Sequence, residues 1–166
     1  MKWKFVVVGK PSLQYARLGI EEYLKRLQKY TAAELITVKN GTQEEEGGRL
    51  LKGSDGSYRI VFDERGESLD TQQLTRKIDG LEMDGGCKLV SVLIGGADGH
   101  SQEVKEAADC ILSLGKMTIQ HELALLVAVE QIYRVYTIKR GETYHRSNFR
   151  CEATHPESLF LECRSI

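Results

Sequence analysis

Several short stretches of this chain carry residue types whose spacing could do chemistry. The first is SVLIGGADGHS, residues 91–101, in which an apolar strand pattern runs straight into Gly95 and Gly96 and then into a helix start at Ser101. Paired glycines let the backbone come close to a ligand. A dinucleotide site would need G-x-G-x-x-G after the first strand and an acidic residue at the end of the next, whereas here G-G-x-x-G follows the fourth strand. No G-x-x-x-x-G-K-[ST] exists for a phosphate loop. Alone, the glycine pair reads equally well as a tight strand-to-helix turn. Two further strand ends change that balance: SLGKMTIQH, 113–121, after the fifth strand, and FDERG, 62–66, after the third. Ligands of open α/β sheets bind beyond the carboxyl ends of the strands, so three such ends would line one pocket. Gly95, Gly96 and Gly115 would bring backbone amides and carbonyls close to a flat ligand, and Met117 and Ile119 would supply apolar walls.

The last stretch is Tyr144, His145 and Arg146, with Arg140 and Arg150 nearby and Phe149 between them. A basic cluster with interleaved aromatics, outside any helix period, suits phosphate contact plus base stacking on RNA. Other polar residues have plainer readings. Glu130 and Arg134, four apart on a helix, form an ordinary ion pair in the commoner case. His121 at a helix start is more often a hydrogen-bonded structural residue than a catalyst. Cys87, Cys110, Cys151 and Cys163 lack C-x-x-C spacing, which predicts free thiols with neither a metal nor a disulfide framework.

The elements that must position these residues follow from periodicity. KWKFVVVG reads as a first buried strand, with Gly9, Lys10, Pro11 and Ser12 breaking it and offering a helix start. An amphipathic helix follows from Leu13 to about Tyr30, then a strand AELITV. Residues 39–57, rich in Gly and Glu, predict loop or weak helix outside the core. YRIVFDERG is a third strand with a turn at its end, and a helix from Leu69 to Leu81 has Asp70 or Thr71 as its cap. CKLVSVLIGG is the fourth strand, Ser101 caps QEVKEAAD, CILSL is a short fifth strand, and a long apolar helix runs to Ile138. Alternating strands and helices with near-continuous apolar strands predict an α/β domain whose mostly parallel sheet is covered by helices on both faces.

A chain of 166 residues, 41% hydrophobic and 28% charged, suits one domain with a substantial core. The apolar run from Phe5 to Val8 is too short for a signal peptide or a membrane span, which predicts a cytoplasmic protein with no membrane partner. A net charge of −1 excludes a global electrostatic footprint for nucleic acid, so RNA contact must rest on a local patch.

LIGGADG, MTIQHELALLVAVEQIYR and RGETYHR, with VVVGK and YLKRLQKY near the start, resemble the RlmH (YbeA) family over residues 1–146. These are SPOUT-class, S-adenosylmethionine-dependent methyltransferases of large-subunit ribosomal RNA. The resemblance implies one domain over 1–146 whose C-terminal part forms a deep trefoil knot, an exception to the rule that chains do not knot. It implies a homodimer with the substrate reached across the subunit interface. The implied cofactor residues are Phe62, Gly95, Gly96, Gly115, Lys116, Met117, Thr118, Ile119 and Gln120. The implied reaction is methylation at N3 of a pseudouridine in 23S rRNA on the assembled ribosome. A sulfonium methyl is already activated, so positioning, worth about 7–11 kcal/mol, supplies much of the catalysis. Arg134, His145 and Arg146 are the candidates to help remove the N3 proton and steady the anion, and Tyr144, His145, Arg146 and Arg150 to bind RNA. A different RNA target, or a catalytically weakened RNA-binding dimer, is the alternative. Three places depart from the family's pattern: Leu125 stands where it has an arginine, the segment 39–57 is Gly-rich and short, and residues 147–166 extend the chain.

Overall fold

The computed structural model describes residues 1–145, and alternation along β1 (Lys2–Val8) sets its layers. Trp3, Phe5 and Val7 enter one core and Val6 and Val8 another, each nearly fully buried. Successive strand side chains point to opposite faces, so a strand apolar at every position must be covered on both sides. The other elements are α1 (Gln14–Leu27), β2 (Ala33–Val38), α2 (Gln43–Gly53), β3 (Tyr58–Ser68), α3 (Thr71–Met83), β4 (Leu89–Ile94), α4 (Gln102–Glu106), β5 (Cys110–Ser113) and α5 (His121–Lys139). The five strands form one parallel sheet in the order β2-β1-β4-β3-β5. Ile20 of α1, Ile78 of α3 and Leu125, Ala128 and Ile132 of α5 fill the larger core. Leu50 of α2 and Val104 of α4 close the smaller one with Val61 and Leu93. The expected α/β sheet with helices on both faces is the fold found.

Residues 39–57 are a correction. They form a three-turn helix, α2, begun by a reciprocal cap: the Thr42 hydroxyl accepts from the Glu45 N–H at 3.3 Å and the Glu45 carboxylate accepts from the Thr42 N–H at 3.1 Å. Glu44, Glu45 and Glu46 fall in the first turn, where the helix dipole favours negative charge. Leu50 is buried in the smaller core. The glycines that weaken the periodicity have a packing reason: a Cβ on Gly47 would lie 2.3 Å from Ser101 Oγ, so its absence lets α2 close on the start of α4.

The end of β3 also differs from the expected turn. The strand runs on to Ser68, and its pairing with β5 shifts between Phe62 and Glu67, both opposite Leu112. A Cβ on Gly66 would meet the Leu112 backbone at 2.5 Å, so only glycine permits this crossing. Strand β3 thus lies between β4 and β5 with its own end folded against the last strand, a topology consistent with the C-terminal knot that the resemblance implies. Leu125, at the departing position, is fully buried in the larger core.

Candidate functional site

The carboxyl ends of β3, β4 and β5 surround a cleft of about 600 Å³. Sizes of this order are typical of small-molecule sites. Phe62, Gly95, Gly96, Gly115, Met117, Thr118, Ile119 and Gln120, singled out from sequence, all line it. Lys116 lies in the same loop with an exposed side chain but is not part of the lining.

Each glycine loop has a physical reason for its residues. A Cβ on Gly95 would sit 2.9 Å from the Gly99 carbonyl carbon, and one on Gly96 would sit 2.6 Å from Glu46 Oε2. The turn is closed by a 3.2 Å bond from the Gly99 N–H to the Gly96 carbonyl, with Gly99 at φ +73°. Helix α2 pins it from outside: the Gln43 side-chain amide donates to the Asp98 carbonyl at 2.7 Å and to the His100 carbonyl at 3.2 Å. In the second loop Ser113 Oγ accepts from the Gly115 N–H at 3.1 Å and donates to the Gly115 carbonyl at 2.7 Å. Gln120 uses its side-chain oxygen as the cap of α5, accepting from the N–H groups of Glu122 and Leu123 at 2.8 and 3.0 Å.

The polar groups around the cleft were not legible in the sequence, because strand ends far apart in the chain supply them. Lys105 Nζ pairs with Asp63 Oδ2 at 2.8 Å. Burial opposes ionisation of Asp63, but the Lys105 ammonium and the Arg65 N–H outweigh it and hold the carboxyl below its ordinary range. His100, buried and also part of the lining, is pushed down by burial, with the Asp63 charge opposing. At the start of α5, buried Glu122 accepts from the Ser12 N–H, the Ser12 hydroxyl and the Leu13 N–H at 2.9, 2.9 and 2.8 Å. Burial would raise its carboxyl; these three donors lower it below its ordinary range.

The residues expected to handle RNA and the proton lie elsewhere in the chain. Arg134 is 13 residues along α5 from His121, about 20 Å at the helical rise. Its guanidinium pairs with Glu130 at 2.5 Å, the expected i,i+4 contact, and lies 4.7 Å from the centroid of the Tyr144 ring. Tyr144 donates to Glu130 at 2.9 Å, sits 3.0 Å from the Tyr23 hydroxyl and packs edge-on against Tyr133. Burial pushes its phenol up, and so does the bond to Tyr23. His145 Nε2 is 3.4 Å from the Gln72 amide nitrogen. Arg146, Phe149, Arg150, Cys151 and Cys163 lie outside the described residues. Cys87 and Cys110 are free, and burial raises both thiols. Among the described residues no group of three or more His, Cys, Asp or Glu could hold a metal ion.

Comparison with known proteins places this geometry. A family model described as "Predicted SPOUT methyltransferase" matches residues 1–145. Ribosomal RNA large subunit methyltransferase H of Thermus thermophilus is 45% identical over 146 residues, covering 88% of this chain and 99% of the relative. The protein of the same name from Deinococcus radiodurans is 40% identical with the same coverage. Among solved structures, the tRNA (m1G37) methyltransferase of Aquifex aeolicus is similar in fold, with a TM-score of 0.52 at 15% identity over 81% of this chain and 70% of that one.

Proposed function

The chain belongs to the SPOUT methyltransferase family, and on that premise we propose that it transfers a methyl group from S-adenosylmethionine to N3 of a pseudouridine in large-subunit ribosomal RNA. One observation carries the reading. In a chain 45% identical to a named rRNA methyltransferase, the three strand ends with glycine and apolar residues converge on a single cleft of cofactor size.

The cleft fits that cofactor by its own chemistry. Gly95 and Gly96 stand where a Cβ would collide with the Gly99 backbone and the Glu46 side chain, so only glycine closes the turn that lines the cleft. Phe62, Leu114 and Ile119 offer apolar walls for a flat base, and loop carbonyls and amides at 95–100 and 113–120 offer polar contacts. The cofactor, when bound, supplies an activated methyl on a sulfonium. The protein's own work is to hold the target nitrogen in line, to exclude water and to accept the N3 proton.

Arg134, Tyr144, His145 and Arg146 take up RNA contact and proton handling from a second copy of the chain, because within one protomer Arg134 lies about 15 Å along α5 from Ala124, which lines the cleft. A homodimer has a surface to use: Tyr15 and Leu18 of α1 are 60% and 51% exposed, and Val127 of α5 is 37% exposed. Residues 1–146 are the methyltransferase domain, 147–166 are an extension, and the enzyme acts on ribosomes in the cytoplasm.

The test is incubation with tritiated S-adenosylmethionine and ribosomes lacking the modification, with deproteinised 23S rRNA and tRNA in parallel. Label on one pseudouridine of the ribosomal sample, lost in Arg134→Ala and His145→Ala, is the expected result. Label on no RNA, from protein that binds the cofactor, would overturn the proposal.

A further inference from the structure

His100 occupies a position that neither the glycine turn nor the helix after it explains. It is 5% exposed, lines the cleft, and joins two of its three walls: the Gly95 N–H points at Nε2 at 3.1 Å, and the same Nε2 lies 3.2 Å from the Phe62 carbonyl oxygen. One ring nitrogen cannot serve both. Bare, Nε2 accepts from Gly95; protonated, it donates to Phe62 and leaves a buried Gly95 N–H facing another N–H. Nδ1 is buried with no hydrogen-bond partner among the described residues. The backbone near the ring is otherwise committed, since Gln43 of α2 holds the His100 carbonyl and Ser101 caps α4.

We propose that His100 is a positioning residue of the cleft: its neutral imidazole holds the Gly95 amide, and with it the glycine turn, in the form that receives the cofactor, and protonation of the ring releases that turn. The inference rests on the methyltransferase reading of the cleft. The charged groups facing the ring are Asp63 of β3 and Lys105 of α4, already paired with one another. Asp98 belongs to the same turn, and Glu46 of α2 stands beside Gly96. Burial favours the neutral ring over the attraction of Asp63. The acid transition therefore falls below the ordinary histidine value of about 6.5.

The test is titration calorimetry of the full chain with S-adenosylhomocysteine, the demethylated cofactor, between about pH 5 and 8. Wild type is expected to bind at neutral pH and to weaken about tenfold on acidification, the effect of stranding one buried donor. His100→Phe should bind about tenfold more weakly at neutral pH, with no acid limb of its own. His100→Gln, whose side-chain oxygen can accept from Gly95 without titrating, should recover most of the affinity and lack the acid limb. Nitrogen NMR of the wild-type ring should show a bare Nε2 at neutral pH. An acid limb that persists in His100→Gln, or a ring protonated at Nε2 at neutral pH, would overturn the proposal even if His100→Phe fails to fold. Wild type that binds no S-adenosylhomocysteine at pH 8 would instead overturn the reading of the cleft itself.

Discussion

Replacing Glu122 should uncouple the start of α1 from the start of α5. Helix α1 opens at Leu13, which has no side-chain oxygen to cap it, and the carboxylate of Glu122, on the neighbouring helix of the same core, holds the two residues that lead into it through three donors. A hydrogen bond to a charged group is worth about 1.5–3 kcal/mol, but the exposed Ser12 donors can turn to water once the carboxylate is gone. The net cost of Glu122→Ala is therefore about 2–4 kcal/mol, and of Glu122→Gln, which keeps one acceptor oxygen, about 1–2 kcal/mol. Urea unfolding at fixed protein concentration measures both as shifts in midpoint at unchanged slope. The pH dependence has a definite sign. Because the folded carboxyl lies below its ordinary value, its contribution is complete above about pH 4.3 and fades as the pH falls through the folded value. The gap between wild type and Glu122→Gln should close over the same range. A Glu122→Ala cost under about 0.5 kcal/mol, or a Gln gap that survives acidification, would refute the assignment of Glu122 as the anchor of the segment leading into α1.

Leu50→Ala, which empties a fully buried site under α2, should cost about 2–4 kcal/mol by chemical denaturation; near-zero cost would mean that residues 39–57 do not pack as a helix. Gly95→Ala should abolish or greatly weaken cofactor binding by calorimetry, since its Cβ would lie 2.9 Å from the Gly99 backbone. Tyr136→Phe removes a hydroxyl that accepts from Trp3 Nε1 at 2.9 Å and donates to Glu82 at 2.6 Å, so a loss of about 1–3 kcal/mol in thermal unfolding is expected. Lys105→Met should raise the Asp63 carboxyl toward its ordinary range, so the variant is less stable at neutral pH and loses less further stability on acidification than wild type, read by urea unfolding at several pH values.

Much of the architecture was legible because it depends on local periodicity. β1 is apolar at Phe5, Val6, Val7 and Val8, a run that only a sheet covered on both faces can bury. Asp70 and Ser101 were recognisable as caps, since a short oxygen-bearing side chain before a periodic run satisfies the first helical N–H groups. Helix α2 escapes a reading by period because its signal lies in the Thr42 and Glu45 cap. Gly47 and Gly48 dilute the apolar stripe, and Gly47 is there for close packing on Ser101. The anchor of the segment leading into α1 was illegible for a different reason: Glu122 is more than 100 residues away in the chain.

The cleft divides in the same way. Glycine and apolar types at three strand ends were enough to anticipate Gly95, Gly96, Gly115, Met117 and Ile119 as neighbours, with Phe62 added by the family resemblance, because parallel strands necessarily bring their carboxyl ends to one edge. No sequence pattern could have paired Asp63 with Lys105 or set His100 between Phe62 and Gly95. Those contacts depend on the order of the strands, with β3 between β4 and β5, and on the depth at which each loop packs. Apart from α2 and the end of β3, sequence by itself therefore determined the elements, the layers and the edge where a ligand belongs, since these follow from interactions between near neighbours along the chain. Tertiary structure alone decided which buried polar groups face one another there, because their protonation and bonding depend on distances that only the closed sheet defines.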